Sequence, residues 1–169
     1  MFSFFKKKIK ARIPWWTPST IEAVEKILND RMNIFEWGSG GSTVWLAKRA
    51  RFVWSMEHGR DWNKKVKKWA RKEGLGRKIS ALECSFEKRK YYDYILGIKQ
   101  EIDFVVIDGR NRVECFKRAL QKVRRNGYIL VDDTNRPVYK PIYDFREAKV
   151  LVETEPDAEG KKATIFIKV

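Results

Sequence analysis

The sequence has few of the residues that most metal centres and nucleophilic hydrolases require. Its 169 residues include two cysteines, Cys84 and Cys115, without Cys-x-x-Cys spacing, and one histidine, His58. We therefore expect neither a zinc site nor a disulfide framework, and the cysteine usage favours a reducing, cytoplasmic compartment. A Ser-His-Asp or Cys-His mechanism would have to use His58, which directly follows a predicted strand, so such a hydrolase is not favoured.

Long apolar segments are lacking too, whereas positive charge is abundant. No run approaches the length of a membrane span, and the N-terminus lacks the apolar core of a signal peptide. Lysine and arginine number 37 against 22 acidic residues, which gives a formal net charge of +15. This balance favours anionic partners such as nucleic acid, acidic lipid or phosphorylated substrates. The length suits one domain with a sizeable core.

Residues 1–16 differ in composition from the rest of the chain. They combine five basic residues with phenylalanine and tryptophan and contain no acid. We interpret residues 1–16 as a basic-aromatic arm and residues 17–169 as a single domain. Three roles for the arm stay open: peripheral membrane attachment, nucleic-acid contact, or docking of Trp15 and Trp16 on the domain behind a solubilising tail. A second basic block, residues 64–72, has helical spacing and indicates the solvated face of a surface helix.

After the arm, apolar periodicity predicts strands that alternate with helices. A first helix over about 20–29 is expected, with Thr17 or Ser19 as its cap. Strands are predicted at 33–37, 52–57, 78–83, 103–108 and 127–132, and helices near 43–50, 61–73, 88–98 and 112–125. The basic, glycine-containing segment 124–127 is interpreted as the C-terminus of the last of these helices.

The C-terminal segment breaks the alternation. Two β-rich runs, 148–153 and 163–169, flank the turn-forming segment 156–160 and predict an antiparallel hairpin. Alternating strands and helices favour an open, mostly parallel sheet with right-handed crossovers. The sequence therefore predicts an α/β fold, Rossmann-like and doubly wound, that ends in an antiparallel hairpin.

The most informative segment joins the first predicted strand to a glycine-rich turn and reads Ile34-Phe35-Glu36-Trp37-Gly38-Ser39-Gly40-Gly41-Ser42-Thr43. Such a turn lets a ligand approach the backbone closely. The lysine of a P-loop is absent, and the third glycine of a dinucleotide fingerprint would fall on Thr43. Glu36 would repel a pyrophosphate but suits a ligand with ammonium and sulfonium groups, as S-adenosylmethionine (SAM) has. The alternative is an ordinary strand-to-helix turn without a ligand.

The segment Glu36-Trp37-Gly38-Ser39-Gly40 and the acids after later strands resemble class I SAM-dependent methyltransferases over residues 17–169. In that family the sheet has seven strands, the last one inserted antiparallel, and a carboxylate at the end of the second strand binds the ribose hydroxyls. Glu57 stands at that position, and either Glu83 or Ser85 falls where the family usually contacts adenine. The resemblance assigns cofactor binding to Glu36, Gly38, Ser39, Gly40, Ser42, Thr43, Glu57, His58, Glu83 or Ser85, and Asp108.

Acidic residues also follow the fourth and fifth predicted strands: Asp108, and then Asp132 and Asp133. The carboxyl ends of neighbouring parallel strands meet at one edge of the sheet, so these acids should lie beside the glycine turn. Catechol-type O-methyltransferases hold magnesium with an acid after strand four and an Asp-Asn pair after strand five. The resemblance thus implies catalytic roles for the three aspartates, and a Mg²⁺ site is one interpretation.

Two other interpretations of these acids stay open. Neighbouring arginines can neutralise them, and the candidates are Arg110, Arg112 and Arg136. Without a metal, Asp108 or Asp132 can act as a general base near the methyl acceptor. Arg110 and Arg112 can also bind an anionic substrate, although simple solvation is favoured for both.

The favoured function is O-methylation of a small-molecule or glycan-type acceptor. One alternative is an RNA or DNA methyltransferase, which the positive charge supports, although an Asn-Pro-Pro-Tyr type of motif is replaced by Asp108-Gly109-Arg110-Asn111. Another is a non-catalytic module that binds SAM or anions. An NAD-dependent oxidoreductase is disfavoured because the chain leaves little room for a substrate domain.

Overall fold

The computed structural model describes residues 13–169 as helices packed on one seven-stranded sheet. The strands are β1 Asn33–Trp37, β2 Phe52–Glu57, β3 Ile79–Glu83, β4 Ile102–Ile107, β5 Val123–Val131, β6 Ala148–Glu153 and β7 Thr164–Lys168. The helices are α1 Pro18–Glu25, α2 Gly41–Ala47, α3 Arg60–Lys72, α4 Arg89–Asp93 and α5 Arg112–Lys122, with 3₁₀ segments at Tyr94–Gly97 and Pro137–Asp144. Within residues 13–169, no helix combines the length and apolar character that crossing a bilayer requires.

The strand order is β3-β2-β1-β4-β5-β7-β6, and this confirms the predicted fold class. β1 to β5 pair in parallel, while β7 lies antiparallel between β5 and β6. The direction of winding reverses between β1 and β4, where a crevice opens beyond the carboxyl ends of the strands. The glycine turn after β1 therefore lies at the position where doubly wound sheets bind their ligands.

Both faces of the sheet are covered, which explains the continuous apolar runs of the central strands. In β4, Phe104 and Val106 belong to one buried cluster, while Val105 and Ile107 belong to the cluster on the opposite face. Side chains alternate between the two faces of a strand, so a strand covered on both sides carries apolar residues on both faces. The core thereby fixes the register of β1 against β4 and the position of the turn.

Segment 124–127 is not a helix C-terminus, and this prediction was wrong. α5 ends at Lys122, and Val123 already pairs with Ile102. The pairing shifts register and resumes between Phe104 and Tyr128. Asn126 has a φ of 59°, so the turn-forming Asn-Gly pair makes a bulge inside β5 instead of capping a helix.

The helices also differ by a few residues from their predicted bounds, and two of the differences have a clear local cause or form. α1 begins at Pro18, and the Thr17 hydroxyl accepts a hydrogen bond from the Thr20 amide at 3.2 Å, so Thr17 is the cap. Proline fits the first turn of a helix because its missing N–H has no helical partner there. The helix predicted near 88–98 is divided into α4 and the 3₁₀ segment that follows it.

Candidate functional site

The glycine turn brings the ends of β1 and β4 into direct backbone contact. Gly38 has a φ of +93°, and a Cβ there would lie 2.7 Å from the carbonyl carbon of Asp108. The Asp108 amide donates to the Trp37 carbonyl at 2.9 Å, which holds the two strand ends together. Only glycine combines this backbone conformation with so close an approach. The turn thus places Asp108 beside any ligand bound there.

Glu36 lies beneath the turn and does not line the cavity that the turn borders. Its carboxylate is fully buried and accepts hydrogen bonds from Ser42, from Thr43 at 2.5 Å and from Ser55 at 2.6 Å. Burial raises the pKa of Glu36 to about 7, although the three hydroxyls act in the opposite direction. Its visible role is to tie β1 to β2 and to the start of α2, which fixes the shape of the turn.

The raised pKa of Glu36 predicts that the free energy of unfolding falls as the pH rises. A carboxyl whose pKa is raised from 4.5 to about 7 on folding contributes stability that is present below pH 4.5 and is lost through pH 7. The loss amounts to about 3 kcal/mol at most. Glu36→Gln should flatten the decline measured by denaturant unfolding between pH 5 and 8, because glutamine does not titrate.

The exposed residue Glu101 supplies the control for this measurement. Glu101→Gln makes the same substitution outside the hydrogen-bonded cluster around Glu36, and it controls for the loss of one carboxylate from the chain. Equal slopes for wild type and Glu36→Gln would contradict the prediction.

Glu57, at the end of β2, is held in place by the backbone and faces the cavity. Its Oε2 accepts from the Ser39 amide at 3.0 Å and its Oε1 from the Gly59 amide at 2.7 Å. His58 Nδ1 lies 3.0 Å from the same Oε1. A carboxylate offers about four acceptor sites, so beyond these contacts the oriented group retains acceptor capacity toward the cavity.

A cavity of about 950 Å³ opens at the carboxyl ends of β1, β2 and β4. Of the residues predicted for cofactor binding, those that line it are Gly38, Ser39, Gly40, Ser42, Glu57, His58 and Asp108. The predicted residues that do not line it are Glu36, Thr43, Glu83, Ser85, Asp132 and Asp133. Lining residues that the sequence did not suggest for ligand contact include Trp15, Trp62, Phe86 and Tyr139. The volume is in the range of small-molecule sites.

Phe86, instead of Glu83 or Ser85, reaches the cavity from the β3 side. Glu83 is exposed, and Ser85 accepts a local hydrogen bond from the Glu87 amide at 3.4 Å. The Phe86 ring lies 5.4 Å from the His58 ring in an edge-to-face arrangement. An aromatic residue three positions after a strand carries no sequence signal of its own, so only the loop geometry identifies it.

The aspartates after β4 and β5 meet around Arg112. The Arg112 side chain is 7% exposed, and its Nη2 lies 3.2 Å from Asp108 Oδ1 and 3.4 Å from Asp133 Oδ2. Its Nη1 donates to the Asp132 carbonyl. Arg136 Nη2 reaches Asp133 Oδ2 at 2.9 Å. The predicted neutralisation by arginine is thus carried out by Arg112 and Arg136.

Asp108 and Asp132 form a hydrogen-bonded acid pair. Burial raises the pKa of both carboxyls, and the nearby charges of Asp108 and Asp133 raise that of Asp132 further. Arg112 opposes the shift in each case. Two carboxyls this close cannot both ionise freely, so the pair keeps a proton to a higher pH than isolated aspartates would.

The donor set does not fit a magnesium ion. Between Ile13 and Val169, no three His, Cys, Asp or Glu side chains are placed to bind one metal ion. A guanidinium already lies among the acids, and the Asp133 carboxylate is engaged by Arg112 and Arg136. Asp133 also has a φ of 55°, as a turn residue would. The arrangement gives no support to the magnesium hypothesis.

Residues 35–134, more than half of the chain, match the family model described as a methyltransferase domain. No protein of curated function matches the sequence.

Several solved structures share the fold. An O-methyltransferase from Bacillus cereus in complex with S-adenosylhomocysteine (SAH) is 20% identical, with a TM-score of 0.69 over 90% of this chain and 82% of that chain. A methyltransferase-like protein from Silicibacter pomeroyi is 21% identical, with a TM-score of 0.69 over 94% and 89%. An rRNA methylase from Streptococcus thermophilus is 10% identical, with a TM-score of 0.72 over 92% and 99%.

Proposed function

The chain belongs to the class I SAM-dependent methyltransferase family, and on that basis we propose that it methylates an oxygen of a small-molecule or glycan-type acceptor in the cytoplasm. The observation that supports the proposal most is a single cavity that collects the glycine turn, Glu57 and Asp108. These groups come from the ends of β1, β2 and β4, on both sides of the point where the winding reverses.

The residues present fit SAM as the cofactor. A Cβ at Gly40 would meet only ordinary contacts at 3.7 Å, and Gly40 lines the cavity, so a ligand can approach the backbone there. The two oriented oxygens of Glu57 match the two vicinal hydroxyls of a ribose. When bound, SAM supplies an electrophilic methyl group on a sulfonium. The chain's contribution to the transfer is chiefly to hold the acceptor oxygen in line with that methyl group.

Asp108 is the residue we propose as the general base. It lines the cavity, while Asp132 hydrogen-bonds to it from outside the lining. The raised pKa of the pair brings proton acceptance closer to neutral pH, where a carboxylate is a more effective base toward a hydroxyl. Arg112 holds Asp108 Oδ1 at 3.2 Å and stabilises the pair as its charge changes.

The cavity also favours an acceptor that carries negative charge. Arg110 and Arg136 both line it. Among the residues that the structure describes, no carboxylate pairs with the Arg110 guanidinium, and the Arg136 side chain is 54% exposed despite its contact with Asp133. A guanidinium presents several donors to a carboxylate, phosphate or sulfate group. We therefore include an anionic small molecule in the proposed acceptor class.

A second candidate, methylation of RNA, is favoured by the outer face of α3. That face is exposed and basic, with Arg60, Lys64, Lys65, Lys67, Lys68, Arg71 and Lys72. The same helix contributes Trp62 to the cavity, and bases stack on aromatic rings in single-strand binding proteins. Binding to a single-stranded RNA that weakens steeply with salt, and is lost on Lys64→Glu/Lys68→Glu, would favour this candidate. Equal affinity in the variant would reject it.

The proposal predicts that SAM and SAH bind, and that Glu57→Ala weakens both. Removing the ribose acceptor should cost about tenfold to a hundredfold in affinity, since hydrogen bonds to a charged group contribute about 1.5–3 kcal/mol. Isothermal calorimetry with SAM and SAH measures this effect.

Glu83→Ala is the matched control, because Glu83 pairs in register with Glu57 on the neighbouring strand but does not line the cavity. Its affinities should equal those of the wild type. Clear binding of NAD without binding of SAM by the wild type would reject the proposed function.

A further inference from the structure

We propose that Trp15 and Trp16 belong to the cofactor site: Trp15 contacts the positively charged end of SAM, and Trp16 positions Asp108. The inference rests on the proposed function. The sequence places both tryptophans in the basic-aromatic arm, residues 1–16. Residues 1–12 of that arm lie outside the described part of the chain.

Trp16 anchors the segment to the domain and to Asp108. The side chain is buried, with 5% of its surface exposed, and its ring lies edge-to-face 6.1 Å from that of Trp45. Its indole N–H donates to Asp108 Oδ2 at 3.3 Å, while Arg112 holds the other oxygen. The Asp108 carboxylate is therefore held by two groups: the Trp16 indole, 92 residues away in the chain, and the Arg112 guanidinium, 4 residues away.

Trp15 precedes Trp16 in the chain and lies at the border of the cavity instead of in the core. Its ring lies 5.5 Å from that of Trp62, and Trp62 is fixed by a hydrogen bond from its indole N–H to the Ser39 carbonyl. Trp15 lines the cavity and remains 75% exposed. A large apolar ring held in this position gains contact area only when a ligand covers it.

The charge of the cofactor makes this contact specific. SAM carries a sulfonium, whereas SAH carries a neutral thioether. Glu36 is fully buried and does not line the cavity, and its carboxylate therefore does not contact the positive charge directly. Trp15 lines the same cavity as the glycine turn, and the face of an indole ring attracts a cation through its quadrupole. Trp15 and Asp108 are then the groups that favour SAM over SAH.

The first test measures SAM and SAH affinities of Trp15→Ala by calorimetry. We expect a loss of about threefold to tenfold for SAM and a smaller loss for SAH, with an unchanged melting temperature because the side chain is exposed. Trp69→Phe is the control: the Trp69 ring also packs on Trp62, at a centroid distance of 5.8 Å, but Trp69 does not line the cavity. Equal losses for both ligands, or none, would overturn the role of Trp15.

The second test uses Trp16→Phe, which retains a ring against Trp45 and removes the N–H donor. The hydrogen bond from Trp16 lowers the pKa of Asp108, so its removal raises that pKa. The other groups that act on Asp108 are Arg112, Asp132 and Glu36. The ratio of SAM to SAH affinity should rise with pH as Asp108 ionises, and Trp16→Phe should move that rise to higher pH. An unshifted profile would overturn the positioning role.

Failure of this inference differs from failure of the proposed function. If wild-type protein binds neither ligand, the proposed function is rejected. If it binds both and the Trp15 and Trp16 variants behave as wild type, only the inference is rejected. Deleting residues 1–12 should leave both affinities unchanged, because Trp15 and Trp16 remain; a loss would overturn their assignment as the part of the arm that contacts the site.

Discussion

Gly40→Val is expected to abolish SAM and SAH binding while the protein stays folded. Gly40 is extended, with a φ of −172°, and a Cβ there would meet only ordinary contacts at 3.7 Å, so the backbone accepts a Cβ without strain. The new methyl groups would project where the ligand must approach the backbone. Calorimetry should show at least a hundredfold loss, and the melting temperature without ligand should change little.

Gly38→Ala provides the contrast to that variant. A Cβ at Gly38 would lie 2.7 Å from the backbone of Asp108, and the φ of +93° disfavours any side chain. This substitution should destabilise the fold itself, which a lowered melting temperature without ligand would show. If Gly40→Val bound SAH as the wild type does, the turn would not be the ligand contact.

Asp108→Asn is expected to reduce methyl transfer by about a hundredfold to ten-thousandfold, the usual contribution of a general base. SAM affinity should fall less than tenfold, because asparagine keeps an acceptor oxygen and the turn keeps its shape. Transfer of a labelled methyl group from SAM into extracts of small molecules and glycans, followed by mass spectrometry, measures turnover and identifies the acceptor.

A chelator should leave the wild-type rate unchanged, since Arg112 lies among the acids.

Asp144→Asn is the control for that comparison, because Asp144 is exposed and does not line the cavity. Its rate should equal the wild-type rate. If Asp108→Asn lowered SAM affinity as much as turnover, the carboxylate would act in binding and not as a base.

The group that balances the charge of the three aspartates could not be predicted from the sequence. The sequence predicts three acids at one edge of the sheet, because they follow neighbouring parallel strands. It left open whether a metal or an arginine balances them. Arg112 balances them, because α5 begins directly after the β4 loop and its first turn points the guanidinium between the ends of β4 and β5. Which of three nearby arginines takes that position depends on loop geometry alone.

Much of the fold and part of the site can be predicted from short segments of the sequence. The sequence by itself determined the alternation of strands and helices, the C-terminal hairpin, the glycine turn and the placement of Glu57 and Asp108 at strand ends. Each of these follows from neighbouring residues: the period of apolar side chains, the turn-forming residues, and the rule that parallel strands end at one edge.

Only the tertiary structure decided the burial of Glu36, the choice of Phe86 at the cavity, and the place of Trp15 and Trp16. Trp16 meets Asp108 across 92 residues of chain, and no periodicity or motif encodes a contact at that separation. Glu36 and Glu57 are both glutamates at the C-terminal part of a strand, yet one lies beneath the turn and the other faces the cavity. Packing decides between them, because three hydroxyls surround the first and two backbone amides orient the second.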